Sequence, residues 1–452
     1  MNSTGYRVVA SALFALALCA GAEAGAASTW KAGAARIKLT PKENLWLEGY
    51  ASRTNAMTGV LHDVWAKALA IEDGEGRTGL IVTLDVCGIG KDISDRIRGE
   101  MGRRFGLKRD SIIINTSHTH TGPNLVAEGS ILQMPPEDIE RTKAYVRWFE
   151  GAVVDVSGEA LANRRPARVF SGNGTCRFAV NRRCNAEREL KTTTEQQGVR
   201  DYAVPVLKAV GIDGREIAIL FGYACHNTTL GIDLMSGDYA GFAQTEVEMR
   251  HPDAVAMFFQ GAGGDQNPLP RNKPSLAVQY GRQLAASVEQ ALEDEMSERK
   301  PVLKTAYSDI VLPFDAPLTD EELREKVEAK ADWRYMIAKR MLEARARGEK
   351  EPREYPAYPV EVWDVGGQKI VALGGEVVVG YAVELKRRYG YDVFVMGYCN
   401  DVMNYMPTPE LWDRGTYEGN YAHFAFGLPT RWRRDVMYTI LSEVARLMES
   451  VR

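Results

Sequence analysis

The chain has 452 residues, 45% of them hydrophobic and 26% charged, an ordinary globular balance with enough apolar material for a large core. Its formal net charge of -4 supplies no basic field, which argues against nucleic acid as a partner. Length alone would allow two or three domains.

The N-terminus differs in kind from the rest. Arg7 precedes the apolar run Val8 to Ala20, and Ala22-Glu23-Ala24 gives small residues at the spacing a signal peptidase reads, with Ala24 or Ala27 the last residue removed. The run is too short to span a bilayer, and no later segment offers the ~20 uninterrupted apolar residues that would. Residues 1–27 are therefore expected to be a secretory signal, and the mature chain, 28–452, to be secreted or periplasmic. Cys19 leaves a lipoprotein as a minor alternative. The other five cysteines form no C-x-x-C. Cys176 and Cys184 could pair in an exported protein, while Cys87 and Cys225 lie in apolar runs and read as buried thiols.

Trp30 to Thr40 alternates as an edge strand does and ends at Pro41. Val64 to Glu72 and Gly79 to Val86 form two strands around the turn Asp73-Gly74-Glu75-Gly76. Asp92 to Phe105 has helical spacing and leads into the β-branched run Ile112-Ile113-Ile114-Asn115, a buried strand. Pro136 to Asn163 is amphipathic, with Glu137 and Asp138 complementing the helix dipole. Strands follow at Tyr202 to Val210, which Pro205 confines to an edge, at Ile217 to Ala224 and at Val255 to Gln260, with helices at Phe242 to Arg250 and Ser275 to Glu295. About 318–350 is rich in Glu, Lys, Arg and Ala and reads as a helical excursion packed on the surface. Strands at Glu361 to Asp364, Lys369 to Leu373 and Val393 to Gly397, and helices at Val377 to Tyr389 and Arg433 to Met448, complete the chain. The alternation predicts an α/β fold: a mixed β-sheet core flanked by helices, active residues on loops at strand ends, in a single large domain.

The chemistry gathers on such loops. His118 and His120 follow the 112–115 strand in Ser117-His118-Thr119-His120-Thr121-Gly122-Pro123. On extended backbone residues i and i+2 point the same way, so the two imidazoles can share a site, as metal ligand and proton carrier or as hydrogen-bonded strand-end residues. His226 ends another apolar strand. Gly261-Ala262-Gly263-Gly264-Asp265-Gln266-Asn267-Pro268 brings backbone close to a ligand, has Asp265 as its sole charge, and lacks the lysine of a phosphate-binding loop. Glu376 follows a buried strand, and Tyr405 and Tyr417 lie in the loops beyond. Singly each has a plain structural role available: His226 as a satisfied core histidine, Glu376 as a helix N-terminal charge, the tyrosines as packing.

Together, in this order, these segments resemble the catalytic domain of the neutral, non-lysosomal ceramidases. The resemblance starts at Ala34 to Thr40 and Gly49-Tyr50-Ala51, includes His62 and Trp65-Ala66, and reaches the tyrosine region. It implies that His118, His226, Glu376 and Tyr405 bind one zinc ion, and that His120, Arg182 and Tyr417 hold substrate and stabilise charge, with Asp265 and Asn267 beside them among the catalytic candidates. It implies hydrolysis of an amide by a zinc-activated water, because zinc accepts nitrogen and oxygen ligands and keeps a position open for water. The partner is then a small-molecule or lipid N-acyl substrate.

Two departures bear on that expectation. Where the family has a serine, in Gly-Asp-x-Ser-Pro, this chain has Asn267, which can hydrogen-bond but cannot act as a nucleophile. The family's β-rich C-terminal domain has no counterpart before Arg452, which weakens ceramide as substrate. A zinc-dependent esterase or deacetylase on a polar substrate such as an amino sugar, and a noncatalytic zinc-pocket binding protein, are the competing expectations.

Overall fold

A computed structural model describes Met1, residues 29–190 and residues 192–452. The expected signal sequence, Met1 apart, lies outside the described residues.

The dominant element among the described residues is a nine-stranded mixed sheet. Its main path runs Val255–Gln260, Glu216–Tyr223, Ala203–Gly211, Arg165–Thr175, Trp30–Lys38, Trp65–Glu72, Thr78–Leu84, Ile112–Thr116. The outermost pairs at both ends are parallel, and the pairs between them are antiparallel. Alternate residues separate onto two faces, as the two-residue period requires. Ala68, Ala70, Ile112 and Ile114 pack with the helices Lys91–Phe105 and Pro136–Ala162, whereas Leu69, Ile71 and Ile113 face the other way. That second face meets a four-stranded sheet, Leu303–Pro313, Glu354–Val365, Gln368–Leu373 and Phe394–Met396, through Trp363, Ile370 and Phe394. The far side of the smaller sheet is covered by Val379–Tyr389 and Val436–Ser450 through Tyr381, Leu385, Ile440 and Val444. The architecture is thus α/β as expected, in four layers: helices, sheet, sheet, helices.

Two strands expected at edges are interior. Trp30–Lys38 is paired on one side along most of its length and on the other through Trp30 to Ala32. Ala203–Gly211 has neighbours on both sides, and its Pro205 is tolerated because the ladder to Glu216–Tyr223 extends only as far as Val206, so the missing N–H falls outside it. The ends of the two sheets are tied by Asn115. This fully buried side chain donates to Gln260 O (3.2 Å) and Gly397 O (2.7 Å) and accepts from Gln260 N (2.8 Å). Three strand ends thereby open onto one place.

The charged 318–350 stretch forms the helices Asp320–Ala329 and Arg334–Ala346, the first opened by a reciprocal Thr319/Glu322 cap. They pack against Phe424, next to His423. Neither ring nitrogen of His423 has a hydrogen-bond partner, and burial holds its imidazole down to about 4. The unfolded chain takes up this proton near pH 6.5 and the folded one only near 4, so the stability is intact above 6.5 and is lost as pH falls through that window. The loss amounts to on the order of 3 kcal/mol. Urea unfolding of the metal-free protein at a series of pH values is expected to show it, with a shallower acid loss in His423→Leu; equal slopes in the two proteins would rule the effect out.

Candidate metal centre and active site

His118, His226 and Glu376 converge at the ends of three strands. The Nε2 atoms of both histidines lie 3.1 Å from Glu376 Oε2. His226 Nε2 is also 3.1 Å from the Tyr405 hydroxyl. Each imidazole is oriented from behind: His118 Nδ1 donates to Cys87 O at 2.7 Å and His226 Nδ1 to Gly263 O at 2.8 Å. Those carbonyls fix the proton on Nδ1, so both Nε2 lone pairs point inward at a carboxylate oxygen. Lone pairs aimed at one another are repulsive unless a cation lies between them. Around a tetrahedral zinc with ligands at about 2.0–2.1 Å, donor atoms sit roughly 3.3 Å apart, close to the separations here. The residues present therefore fit a metal ion.

Local backbone explains the convergence. His118 does not lie on extended backbone as the alternation argument assumed. Its φ is 59°, a left-handed conformation that turns the chain at the strand end, with its N–H on Val86 O. Glu376 and Tyr405 are neighbours in a two-residue parallel ladder, Glu376–Val377 with Tyr405–Met406. The preceding Gly375 has φ 73°, and a Cβ there would meet Asn404 O at 2.6 Å, so the turn that aims Glu376 requires glycine. Burial opposes ionisation of Glu376, but positive charge on its His118 and His226 side outweighs burial and holds the carboxyl well below its usual range. Burial, with Arg182 adding to it, holds His226 down to about 4.

The flanking candidates are also brought together. His120 Nε2 is 3.0 Å from His118 Nε2, and burial, the largest cause, keeps its imidazole well below the ordinary range. Arg182 donates to the Tyr405 hydroxyl (3.2 Å), Asn267 Oδ1 (3.2 Å) and Gly264 O (2.8 Å). Its place follows from the short antiparallel ladder of Ala179–Asn181 with Gln266–Pro268. Tyr417 stacks edge-on against Tyr405, ring centroids 5.3 Å apart, and burial raises its phenol above the usual range. Asp265 is the exception. Its carboxylate accepts from Val379 N (2.8 Å) and Asn181 Nδ2 (3.3 Å), contacts that brace the start of the helix Val379–Tyr389.

Several site residues escaped the sequence reading. Glu418, adjacent to Tyr417, is a buried carboxylate gripping both Arg182 (2.8 Å) and Arg183 (2.7 Å). Glu48, a single acid in Leu45-Trp46-Leu47-Glu48-Gly49, and Asp401 line the same cavity, and burial pushes each up to about 7. The cavity measures about 980 Å³ and also includes Trp333, so the 318–350 excursion contributes to its wall. A second set of possible ligands, Cys87, His118 and His120, is less suited. Burial raises the Cys87 thiol well above its usual range, and His118 Nδ1 is already engaged by the Cys87 carbonyl. The cysteines at 87, 176, 225 and 399 are buried, and Cys176 and Cys184 are not bonded to each other.

An α/β fold whose strand ends present two histidines, a glutamate and a tyrosine around one point defines a protein with a candidate metal centre. Residues 30–274 match the family described as neutral/alkaline non-lysosomal ceramidase, N-terminal, and the chain belongs to that family. It is 24% identical over 240 residues to the neutral ceramidase of Drosophila pseudoobscura pseudoobscura, a match covering 50% of this chain and 33% of that one. It is 22% identical to the neutral ceramidase of Mycobacterium tuberculosis (strain ATCC 25618 / H37Rv) across 89% of this chain and 74% of that one. The fold is similar to the crystal structure of the neutral ceramidase from Pseudomonas aeruginosa, with TM-score 0.71 and 17% identity over 93% of this chain and 74% of that one. Against the Drosophila relative, then, the match spans about a third of the relative's length.

Proposed function

We propose that this protein is an exported, zinc-dependent hydrolase of N-acyl amide bonds. The observation that carries the reading is the set of inward-facing lone pairs of His118, His226 and Glu376 at 3.1 Å spacing, with Tyr405 beside them, on the wall of a substrate-sized cavity. Export is supported by the N-terminal apolar run and its small-residue site, and the amide by the ceramidase names of the relatives. When bound, zinc supplies Lewis acidity and an activated water.

The chain's own groups divide the remaining work. Arg182 and the Asn267 amide, which the guanidinium orients through Oδ1, present N–H donors to a developing oxyanion. His120, kept neutral, has nitrogen free to take up a proton at the centre, and Tyr417, kept protonated, is a donor for the departing nitrogen. Asn267 in place of a hydroxyl leaves no serine nucleophile there, so attack by water is the route the site supports. The test is elemental analysis of purified protein, followed by hydrolysis of N-acyl amides before and after chelation and zinc return. One zinc per chain with chelator-sensitive, zinc-restored turnover is expected. Stoichiometric zinc with no turnover of any amide or ester would make it a binding protein.

A further inference from the structure

The cavity contains hydrogen-bond donors that the proposed hydrolysis does not use. Thr228 is 2% exposed, lines the cavity, and its hydroxyl has no partner among the described residues. Arg271 also lines it, and among the described residues its guanidinium makes one hydrogen bond, a long one from Nε to Glu187 at 3.4 Å, with neither terminal nitrogen engaged. The two are neighbours because Asn272 N donates to Thr229 O at 2.7 Å, and Tyr50 joins them by donating to Leu230 O. An apolar stretch of the lining comes from Ile131, Leu132, Trp333, Phe426 and Leu428. Of the lining acids, Asp92, Glu128 and Glu187 are paired with Arg96, Lys143 and Arg271, Glu376 belongs to the metal centre, and burial pushes Glu48 and Asp401 up to about 7.

An amine half that is neutral leaves the buried Thr228 hydroxyl without a partner, which is costly, and the part-exposed Arg271 guanidinium with its long Glu187 contact alone. A carboxylate satisfies both through charge-assisted hydrogen bonds, and a guanidinium suits its planar geometry. Resting on the hydrolase reading above, we propose that the substrate is an N-acyl amino acid, its α-carboxylate on Arg271 and Thr228 and its acyl chain on the apolar wall. The reaction then adds water across the amide: a C–O bond forms at the acyl carbon, the C–N bond breaks, and a water proton passes to nitrogen, giving a fatty acid and a free amino acid.

The experiment compares N-octanoyl-alanine with its neutral analogue N-octanoyl-alanine amide on zinc-loaded protein, by kcat/KM and by calorimetric binding. The acid is expected to be favoured by about 30-fold, mainly through KM, as hydrogen bonds to a charged group imply. Arg271→Met is expected to abolish the preference and Arg271→Lys to restore part of it, with zinc content unchanged in both. Equal kcat/KM and equal binding of the two compounds, or a preference untouched by Arg271→Met, overturns the carboxylate site while leaving amide hydrolysis standing. Turnover of neither compound while other N-acyl amides are hydrolysed overturns the amino-acid substrate and leaves the hydrolase reading standing; tighter binding of the acid that Arg271→Met removes upholds the carboxylate site.

Discussion

His118→Ala and Glu376→Ala are each expected to yield folded protein without stoichiometric zinc, with turnover lower by roughly a thousandfold or more because the activated water is lost. The geometry explains why either deletion suffices. Glu376 Oε2 is the atom that both Nε2 atoms approach at 3.1 Å, so its removal leaves two imidazoles with no anionic partner. Removing His118 leaves the pair of Glu376 and His226, and also frees the Cys87 carbonyl that had oriented the ring. Tyr417→Phe provides the contrast. Its ring packs against Tyr405 and its oxygen is not among the inward-facing atoms, so zinc is expected to remain while turnover slows by roughly a hundredfold, the scale of a lost proton donor. Elemental analysis together with initial rates decides between these outcomes. Normal zinc in either ligand variant would mean that the coordination shell has been assigned to the wrong atoms.

What could be read from the chain alone follows from how local each cause is. Ile112 to Asn115 and Ile217 to Ala224 announce themselves as buried strands by composition, and a histidine just past each apolar run is conspicuous for that reason. Pairing is not local. Whether Trp30–Lys38 lies at an edge depends on residues more than a hundred positions away, and for Ala203–Gly211 Pro205 is a poor guide because its tolerance is set by where a neighbouring ladder stops. The His118–His120 convergence was foreseen for the wrong reason, since φ at His118 is 59° and the chain turns there. Asp265 drew attention as a lone charge in a glycine loop, yet what decides its role is the Val379 N–H more than a hundred residues on. Glu418 was hidden by the same logic in reverse. Nothing in Tyr417-Glu418-Gly419 reveals that two arginines from residues 182 and 183 will close on it.

That grip gives the second large expected effect. Glu418→Ala is expected to cost about 3–5 kcal/mol of stability, the penalty for leaving buried charge uncompensated. The Glu418 side chain is fully buried, those of Arg182 and Arg183 are 16% and 27% exposed, and among the described residues neither arginine has another carboxylate in contact. An exposed pair in the same region, Arg414 with Glu410 at 3.3 Å, is the control: Glu410→Ala should change stability by less than about 1 kcal/mol, because solvent already screens it. The consequence extends to the centre. Arg182 is held by Glu418 where it donates to the Tyr405 hydroxyl and to Asn267, so without the carboxylate its guanidinium loses its orientation at the reacting groups. Glu418→Gln keeps the shape and removes the charge, and should therefore retain zinc while lowering kcat more than it raises KM. Urea unfolding of the three variants beside zinc content and steady-state rates tests the chain of contacts, and a Glu418→Ala protein as stable as Glu410→Ala would show that the arginines are solvated and the clamp is not formed.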